Sequence, residues 1–435
     1  MLPIKKADIL AEKLKQKLQL LSINKIAKQS GFVKRKPKKI KPLNFLLAFF
    51  ITILTGGNSL STFAATIGLI TRCRISKQAI DKRIKQPLIK FLESVLEKTL
   101  SLNIGLECKK SLGAIFNRII TNDSTTIQLD SKLAEHFPGN KNQFNKKTAV
   151  LKIQAFYDLL AERFCHLSFS PYTKNDQNAS VDVLAMIQRG DLIIRDLGYF
   201  VLSVFNQIQQ LGAYFLSRLK YNVTIYELDG ETKIDLLKLL KKYGKLDIDV
   251  IIGAEEKLLA RLVALPVSAE VAAERRRKAK RDCRNNPSNH HLALLGWNIF
   301  ITNIQRDQLD VEQLVQLYGC RWRIEIIFKS WKSHFNLENV PTASLVRVLS
   351  YIYAMLIFIT IFQVYIYINL YNKMYGSDNN QLSLFKLSKF IKNQFWAIIL
   401  FMNNFEIIEE QILYHCLYEK RSDRLNYVQQ ISSLS

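Results

Sequence analysis

The stretch from Tyr318 to Lys332 reads YGCRWRIEIIFKSWK, and its residue spacing predicts one amphipathic helix. On a helical projection of about 100° per residue, Tyr318, Arg321, Glu325 and Lys332 share one face, with Lys329 beside them. The adjoining face is apolar and wide enough to dock on a core. A carboxylate among cations suits metal-dependent phosphoryl transfer, because the carboxylate can hold a divalent cation while the cations hold phosphates. A solvated charged face is the alternative interpretation.

Two aspartates lie at predicted strand ends, where they could join Glu325 in one site. Residues 119–127 are rich in β-branched side chains, which place Asp123 in or just beyond a strand. Residues 192–200 form an apolar strand that ends at Asp196, shortly before a glycine. A single aspartate is more often a turn or cap residue. Strand and local context together nevertheless favour a trio of carboxylates.

Three other aspartates are weaker candidates for the same role. Asp158 is the most serious of them, because it directly follows a predicted strand over residues 150–157. Asp182 falls in a predicted helix over residues 178–190, where a solvated role is expected. Asp130 is the third.

The spacing of four residues in the opening stretch carries a resemblance to a known family. Two residues separate Tyr318 from Arg321, three separate Arg321 from Glu325, and six separate Glu325 from Lys332. This spacing is similar to the Tyr-Arg-Glu-Lys signature of the DDE transposases of the insertion-sequence-four family. These are bacterial mobile-element enzymes with a ribonuclease-H-like core. The resemblance implies that Glu325 is the third catalytic carboxylate and that two aspartates precede it.

The sequence around both aspartates agrees with this resemblance. The family's first aspartate stands in an Asp-Ser/Ala-Thr context, which residues 123–125 match. Its second usually precedes a glycine-aromatic pair, which follows Asp196 and Leu197 here. Many members carry arginine in place of Leu197. One phosphate contact is therefore either missing in this chain or supplied by Arg195.

The resemblance implies cut-and-paste DNA transposition: metal-dependent cleavage of transposon ends, then 3′-OH strand transfer into target DNA. Asp123, Asp196 and Glu325 would hold two Mg²⁺ ions, with Mn²⁺ as a possible substitute. The phosphate-binding residues would be Tyr318, Arg321, Lys332 and Lys329. Double-stranded DNA would be the partner, bound by a homodimer because two ends must be paired, in the cytoplasm at the nucleoid. In some members the end passes through a DNA hairpin, a point that the sequence leaves open.

The expected fold class is α/β, a ribonuclease-H-like mixed sheet flanked by helices and interrupted by a largely β insertion. Strands over residues 150–157 and 163–170, then the helix over 178–190, fill the interval between the two aspartates. Strand-like segments at 213–219, 223–228, 248–254 and 260–267 build the insertion, and residues 297–304 return to the core. The expected domains are a helical DNA-binding region (1–105), the catalytic core (106–204 and 291–372), the insertion (205–290) and a helical C-terminal region (373–435).

The charge of the chain favours a polyanionic partner. Its net charge is +25 and its pI about 9.7. Positive residues cluster in residues 34–41 and 275–284, and the second run is a candidate clamp on the DNA backbone. The residues predicted to bind DNA phosphates there are Arg275, Arg276, Arg277 and Lys278. Flexible solvated segments are the alternative.

Two short helices near the N-terminus predict a DNA-reading unit. Residues 60–70 and 75–84 suggest helices around a turn, with Ser76 able to cap the second. The polar face of the second helix offers Lys77, Gln78, Lys82 and Arg83, which could read a major groove. A helical dimerisation or packing unit fits the same pattern.

Several cofactor and site classes find no support in the sequence. The six cysteines form no C-x-x-C pair, which argues against a zinc module or a disulfide framework. There is no P-loop or dinucleotide fingerprint, so we expect no nucleotide cofactor.

Residues 349–371 carry no charge over 23 residues, a length that could span a bilayer. We expect a buried core helix rather than a membrane span. Two other function classes stay open: a catalytically inactive relic that only binds DNA, and a membrane-associated basic protein built on this segment.

Overall fold

The computed structural model describes residues 21–57, 59–101, 112–140, 147–282, 286–338, 340, 343–374, 381–395, 405–419 and 427–434. Residues 1–20 of the predicted DNA-binding region and residues 283 and 284 of the basic run lie outside this description. One mixed sheet of nine strands, in the order β3-β2-β1-β4-β5-β9-β8-β7-β6, forms the centre of the fold. Helices pack on both of its faces, which confirms the predicted α/β class.

The first five strands form the core of this sheet. Their bounds are β1 (Ile119–Leu129), β2 (Ala149–Asp158), β3 (Arg163–Pro171), β4 (Leu192–Arg195) and β5 (Tyr214–Arg218). Strand β2 runs antiparallel to β1 and β3, whereas β4 runs parallel to β1 and β5. This order and these directions are the ribonuclease-H-like arrangement, and the strands predicted between residues 119 and 195 are confirmed.

The register of β1 against β4 places the two aspartates side by side. Thr121 on β1 is level with Ile194 on β4, and the strands are parallel. Asp123 and Asp196 each lie two residues farther along the chain, so they reach the same end of the sheet. Adjacent residues of β4 point to opposite faces: Ile193 joins one hydrophobic core and Ile194 the other.

The predicted helix over residues 178–190 is wrong in type and length. The structure has a 3₁₀ segment, Ser180–Ala185. The carbonyl of Ser180 accepts a hydrogen bond from Nη2 of Arg195 at 2.7 Å.

The region after β5 extends the core sheet instead of forming a separate sheet. Its strands are β6 (Ile225–Tyr226), β7 (Leu246–Ile252), β8 (Leu258–Pro266) and β9 (Trp297–Thr302). Strand β9 pairs antiparallel with both β5 and β8. Strand β5, which the sequence analysis assigned to the insertion, pairs in parallel with the core strand β4.

The expectation of a largely β insertion is corrected, because several helices lie among its strands. They are α7 (Leu202–Gln210), α8 (Leu236–Tyr243), α9 (Ala269–Arg281) and α10 (Asn289–Leu294). Side-chain caps begin three of them: Asp235 caps α8, Ser268 caps α9 and Ser288 caps α10. The domain boundaries themselves remain predictions.

Helices make up the described parts of both ends of the chain, as predicted. Before β1 lie α1 (Ile23–Gln29), α2 (Pro42–Thr55), α3 (Leu60–Thr71), α4 (Lys77–Asp81), α5 (Gln86–Leu100) and α6 (Leu112–Ile115). After β9 lie α11 (Val311–Gly319), α12 (Trp322–His334), α13 (Leu345–Ile361), α14 (Ile368–Met374), α15 (Leu384–Asn393), α16 (Phe405–His415) and α17 (Tyr427–Ser432).

A π-helical turn, Phe362–Tyr367, joins α13 to α14. Within the described residues, Leu345–Asn372 is one helix long and apolar enough to cross a membrane, with a mean hydropathy of 2.1. Of its most apolar window, 72% is buried inside the protein. Helix α13 packs against α5 and α2. This packing favours the core-helix interpretation.

Candidate active site

Three carboxylates from separate elements meet around one guanidinium. Asp123 lies on β1, Asp196 directly follows β4, and Glu325 lies in the first turn of α12. Nη2 of Arg321 is 2.7 Å from Oε1 of Glu325 and 3.9 Å from Oδ1 of Asp196. Its Nη1 is 3.8 Å from Oδ2 of Asp123. The structure therefore brings the predicted trio together, with Arg321 at its centre.

The predicted single helix from Tyr318 to Lys332 is two helices. Helix α11 ends at Gly319 and α12 begins at Trp322. At the junction, the N–H of Cys320 donates to the carbonyl of Leu317, and that of Arg321 to the carbonyl of Tyr318. These bonds span three residues and tighten the chain into a turn. Arg321 is carried towards the aspartates by this turn.

The environment of Asp123 disfavours its charged form. Burial raises the pKa of Asp123 from 3.8 to about 6, although the Ser124 N–H and Arg321 oppose the shift. The Ser124 N–H donates to Oδ1 of Asp123 at 2.7 Å. Asp196 and Glu325 add to the rise because they are negative. Such a group gains most from a bound cation, which would favour the carboxylate.

Tyr318 and Arg321 keep their protons at neutral pH. Burial, with a smaller contribution from the negative charge of Asp196, raises the pKa of Tyr318 to about 12. Burial alone would lower the pKa of Arg321, but Asp196, Tyr318 and Glu325 outweigh it and raise the value. The guanidinium of Arg321 can therefore only donate hydrogen bonds, and the protonated hydroxyl of Tyr318 can also donate one. Proton abstraction is not available to either.

Sequence reasoning missed Arg218, which lies beside Asp196. Ser217 is level with Arg195 in the parallel pair of β4 and β5, so Arg218 and Asp196 are neighbours. The guanidinium of Arg218 lies 5.6 Å from the ring centre of Tyr318. The sequence did place Arg218 at the end of a predicted strand, which could have marked it as a site residue. That strand, however, was assigned to the insertion.

Three predicted phosphate contacts have other partners. The ammonium of Lys332 lies 2.7 Å from Oε1 of Glu338. That of Lys329 lies 5.5 Å from the ring centre of Phe385. Arg195 is fully buried and donates to Ser180 and to the carbonyl of Tyr199. Arg195 therefore cannot supply the phosphate contact left open by Leu197, and this prediction is corrected.

The weaker aspartate candidates have structural partners. Asp158 is buried and accepts hydrogen bonds from the backbone N–H groups of Ile119 and Leu160. Asp182 pairs with Lys174 at 2.7 Å. Asp130 caps a 3₁₀ turn at Ser131–Leu133. These contacts account for each of them without catalysis.

The predicted basic clamp on α9 divides into two pairs. Arg275 donates to the Trp297 carbonyl at 3.3 Å and to Oδ1 of Asn298 at 2.7 Å. Nε of Arg276 donates to the carbonyl of Leu292 at 3.0 Å. Arg277 and Lys278 instead project into solvent beside Glu274. Only this second pair has side chains with no role in holding the fold.

A cavity of about 750 Å³ opens beside the trio, between the core and α9–α10. Leu197, next to Asp196, lines it together with Arg218 and Trp297. The rings of Tyr221 and His291 stack in its wall, with centres 4.0 Å apart. The cavity therefore combines aromatic and cationic groups.

The predicted helix-turn-helix unit is shorter than expected. Helices α3 and α4 flank a turn, and the N–H of Ala79 donates to Oγ of Ser76 at 3.2 Å, which confirms the predicted cap. Helix α4 has only five residues, because the chain turns again after Asp81. This is too short for a typical recognition helix. The predicted reading residues, Lys77, Gln78, Lys82 and Arg83, are all exposed.

The donor set of the trio fits a divalent cation. Carboxylate oxygens are the ligands that Mg²⁺ prefers, and a bound cation would offset the cost of charging the buried Asp123. No group of three or more His, Cys, Asp or Glu side chains in the described residues already surrounds a metal-sized space. Arg321 lies between the three carboxylates in this arrangement. It would have to withdraw as a cation enters.

Known proteins resemble this chain over most of its length. The transposase for insertion sequence element IS231D of Bacillus thuringiensis subsp. finitimus is 30% identical over 377 residues, covering 80% of this chain and 78% of the relative. The transposase for IS1151 of Clostridium perfringens is 28% identical over 381 residues, covering 81% and 79%. The structure of the piggyBac transposase synaptic complex with hairpin DNA aligns over 96% of this chain and 87% of that one, with a TM-score of 0.46 and 10% identity.

The family model for the transposase DDE domain matches residues 115–361, more than half of the chain. This match begins just before β1 and ends with α13. It includes all three carboxylates and the junction of α11 and α12. The chain is a member of the DDE transposase family, the DNA-cleaving and strand-transferring enzymes of mobile elements.

Proposed function

We propose that Asp123, Asp196 and Glu325 are the catalytic carboxylates of this transposase, which cuts the ends of its insertion sequence and joins them to target DNA. The supporting observation is the convergence of the three side chains on Arg321 within 3.9 Å. They come from β1, the end of β4 and α12, elements far apart in sequence. A chance surface cluster would not combine this convergence with the strand register of β1 and β4.

The three carboxylates would hold two Mg²⁺ ions, with Mn²⁺ as a possible substitute. When bound, such a pair activates the attacking oxygen and stabilises the leaving oxygen of a phosphodiester. The burial that raises the pKa of Asp123 excludes competing water from one side of the site. We expect no nucleotide cofactor, since hydrolysis and strand transfer exchange phosphodiester bonds directly.

Arg321 and Tyr318 are proposed to bind phosphate oxygens of the transposon end. Both are held as donors at neutral pH, as their raised pKa values require. Arg321 presents a planar fork that fits two phosphate oxygens at once. Its present partners are carboxylates that a cation would neutralise, so the same guanidinium can pass to the DNA. Lys332 and Lys329 are proposed as weaker, outer contacts.

The wider DNA surface is proposed to include α9 and the exposed face around α4. On α9, Arg277 and Lys278 are the contacts that the structure favours, whereas Arg275 and Arg276 would act mainly by holding the helix. Around α4, Lys77, Gln78, Lys82 and Arg83 are proposed to contact the end sequence. With the short α4, backbone contact is better supported than a recognition helix in the major groove.

We propose a homodimer on DNA, because the two ends of one element must be paired before strand transfer. The protein is proposed to work in the cytoplasm at the nucleoid, where its DNA lies. The buried position of α13 supports a protein without a membrane span. Fractionation after a carbonate wash tests this point, since recovery in the membrane fraction would contradict it.

The experiment is Mg²⁺-dependent nicking of a duplex that carries the element's own end. Asp123→Ala, Asp196→Ala and Glu325→Ala should each abolish nicking while retaining end binding in a gel-shift assay. Asp130→Ala is the matched control, because Asp130 is exposed and only caps a short turn. Asp158 is unsuitable as a control, because its removal would leave two buried N–H groups without a hydrogen-bond acceptor. Wild-type protein that binds ends without nicking them would favour the relic.

A further inference from the structure

Behind the active site, the catalytic helix α12 carries a second, fully buried ion pair. Nη2 of Arg323 lies 2.6 Å and its Nε 3.0 Å from Oε2 of Glu162, in the turn between β2 and β3. Each side chain is only 1% exposed. Arg323 precedes Glu325 by two residues, so the two side chains leave the helix about 200° apart. One faces the carboxylate trio and the other faces the interior.

The pair is the centre of a buried hydrogen-bond network that joins three elements. The Tyr157 hydroxyl donates to Oε2 of Glu162 at 3.0 Å, and Nη2 of Arg323 donates to the Tyr367 hydroxyl at 2.8 Å. Gln363 donates to the Tyr157 hydroxyl at 2.8 Å and to the Glu162 carbonyl at 3.2 Å. The network therefore ties α12 to the β2–β3 hairpin and to the π-helical turn.

Two features of this network carry a cost in free energy. Glu162 has a φ of +53°, a left-handed backbone that costs a non-glycine residue free energy. Its Oε1 has no hydrogen-bond partner within the described residues. A buried ion pair is often no more stable than apolar residues of the same volume, so specificity of geometry is the better reason for its presence.

We propose that Arg323 is a positioning residue for the transposition reaction, which together with Glu162 fixes the rotation of α12 so that Glu325 faces Asp123 and Asp196. A helix docked by apolar contacts alone can rotate or slide at small cost. A bonded guanidinium on the opposite side removes that freedom, because any rotation breaks several buried charge-assisted hydrogen bonds. This inference rests on the proposed role of Glu325.

The test compares Arg323→Lys with Arg118→Lys in the full-length protein. Arg118 also pairs with a buried carboxylate, Asp191, with Nε to Oδ1 at 3.0 Å. That pair lies at the opposite end of β1 and β4 from the trio and does not involve α12. Both substitutions keep the positive charge and lose the planar fork. Thermal unfolding sets a temperature at which both variants are folded.

Two readouts separate positioning from stability: single-turnover nicking, and Mn²⁺ affinity of the free protein from electron paramagnetic resonance titration. For Arg323→Lys we expect nicking slower by about 10- to 100-fold and clearly weaker Mn²⁺ binding, with end binding retained. For Arg118→Lys we expect nicking and Mn²⁺ affinity within about twofold of wild type. Equal effects of the two substitutions on nicking and Mn²⁺ affinity would overturn the proposal.

If Arg323→Lys does not fold, the double substitution Arg323→Met with Glu162→Met replaces it, because an apolar pair leaves no unpaired charge. Restored folding with slow nicking supports positioning, whereas restored folding with wild-type nicking overturns it. Glu325→Gln is measured in parallel. If the Glu325→Gln variant still nicks DNA, the proposed function itself is contradicted. If Glu325→Gln does not nick DNA but Arg323→Lys behaves as wild type, only this inference is contradicted.

Discussion

Arg321 and Arg323 stand two residues apart at the start of one helix, yet their surroundings differ in kind. Arg321 faces Asp123, Asp196 and Glu325, whose side chains are 25%, 44% and 37% exposed. Arg323 faces Glu162, which is 1% exposed. The carboxylates around Arg321 can therefore exchange it for another cation, whereas Glu162 has no access to one. The same residue type serves as a replaceable partner on one side of the helix and as a fixed anchor on the other.

The largest expected effect follows from breaking the buried side of this comparison. Arg323→Ala leaves the Glu162 carboxylate buried without its cation, and we expect a loss of about 3–5 kcal/mol in the free energy of unfolding. Urea denaturation followed by circular dichroism measures it. Arg321→Ala is the matched control. Because the partners of Arg321 are partly exposed, its loss should lower the free energy of unfolding far less. Equal losses for both would mean that the two arginines do not differ as described.

Asp123→Asn should stabilise the protein while abolishing nicking. The pKa of Asp123 is about 6 in the folded chain against 3.8 as its ordinary value, so the carboxylate opposes folding above pH 6. Removing its charge should add up to about 3 kcal/mol near pH 7.5. The gain should vanish as pH falls through 6 towards 4, where the wild-type carboxyl is protonated. Denaturation across this pH range measures the effect, and a pH-independent gain would contradict the assignment.

Arg321→Lys should impair nicking although the charge is kept. A lysine cannot present two parallel donors to a phosphate, and we expect a loss of about 10- to 100-fold in the single-turnover rate. Stability should change little. Arg306→Lys is the control, because it makes the same change at an exposed arginine that pairs with Asp249. A wild-type rate for Arg321→Lys would show that Arg321 contributes only its charge.

The exposed cations of α9 should act on DNA affinity more than on chemistry. Replacing Arg277 and Lys278 with alanine should reduce the slope of log affinity against log salt by about 2. Replacing Lys241 and Lys242, which are exposed at the end of α8, removes the same charge elsewhere and should leave the slope unchanged. If both double variants have the same slope of log affinity against log salt, the cations of α9 are solvated and do not contact DNA.

Lys332→Ala should produce the smallest effect. Its ammonium pairs with the exposed Glu338, and such pairs contribute about 0.2–1 kcal/mol. End binding should weaken by no more than about fivefold, and Lys332→Arg should behave as wild type. Abolished nicking in Lys332→Ala would show that Lys332 leaves Glu338 for the scissile region once DNA is bound.

The carboxylate trio could be predicted from sequence because its signals are local. Strand composition and a following glycine mark the two aspartates, and a fixed spacing marks Glu325. The break between α11 and α12 also had a local signal in Gly319, which the apolar periodicity on either side outweighed. Helix α8 was missed although Asp235 and the LLKLLKK pattern after it are typical of a capped amphipathic helix.

The buried partner of Arg323 on α12 could not be predicted in the same way. Arg323 and Glu162 are separated by 161 residues, and no pattern in a single sequence links them. Glu162 also occupies a left-handed position in a tight turn, where composition favours glycine or asparagine. Partner choice over such a distance is decided by how the hairpin packs on α12.

The continuous sheet also determines how the region beyond β5 can move. Strand β9 is bonded to β5 on one side and to β8 on the other, so the wall of the cavity is in one piece with the floor of the active site. Swinging that wall open would break a ladder of backbone hydrogen bonds in the middle of the sheet. We therefore expect the cavity wall to move together with the core sheet and not as a separate lid. We expect this wall to keep its place relative to the carboxylate trio when DNA binds.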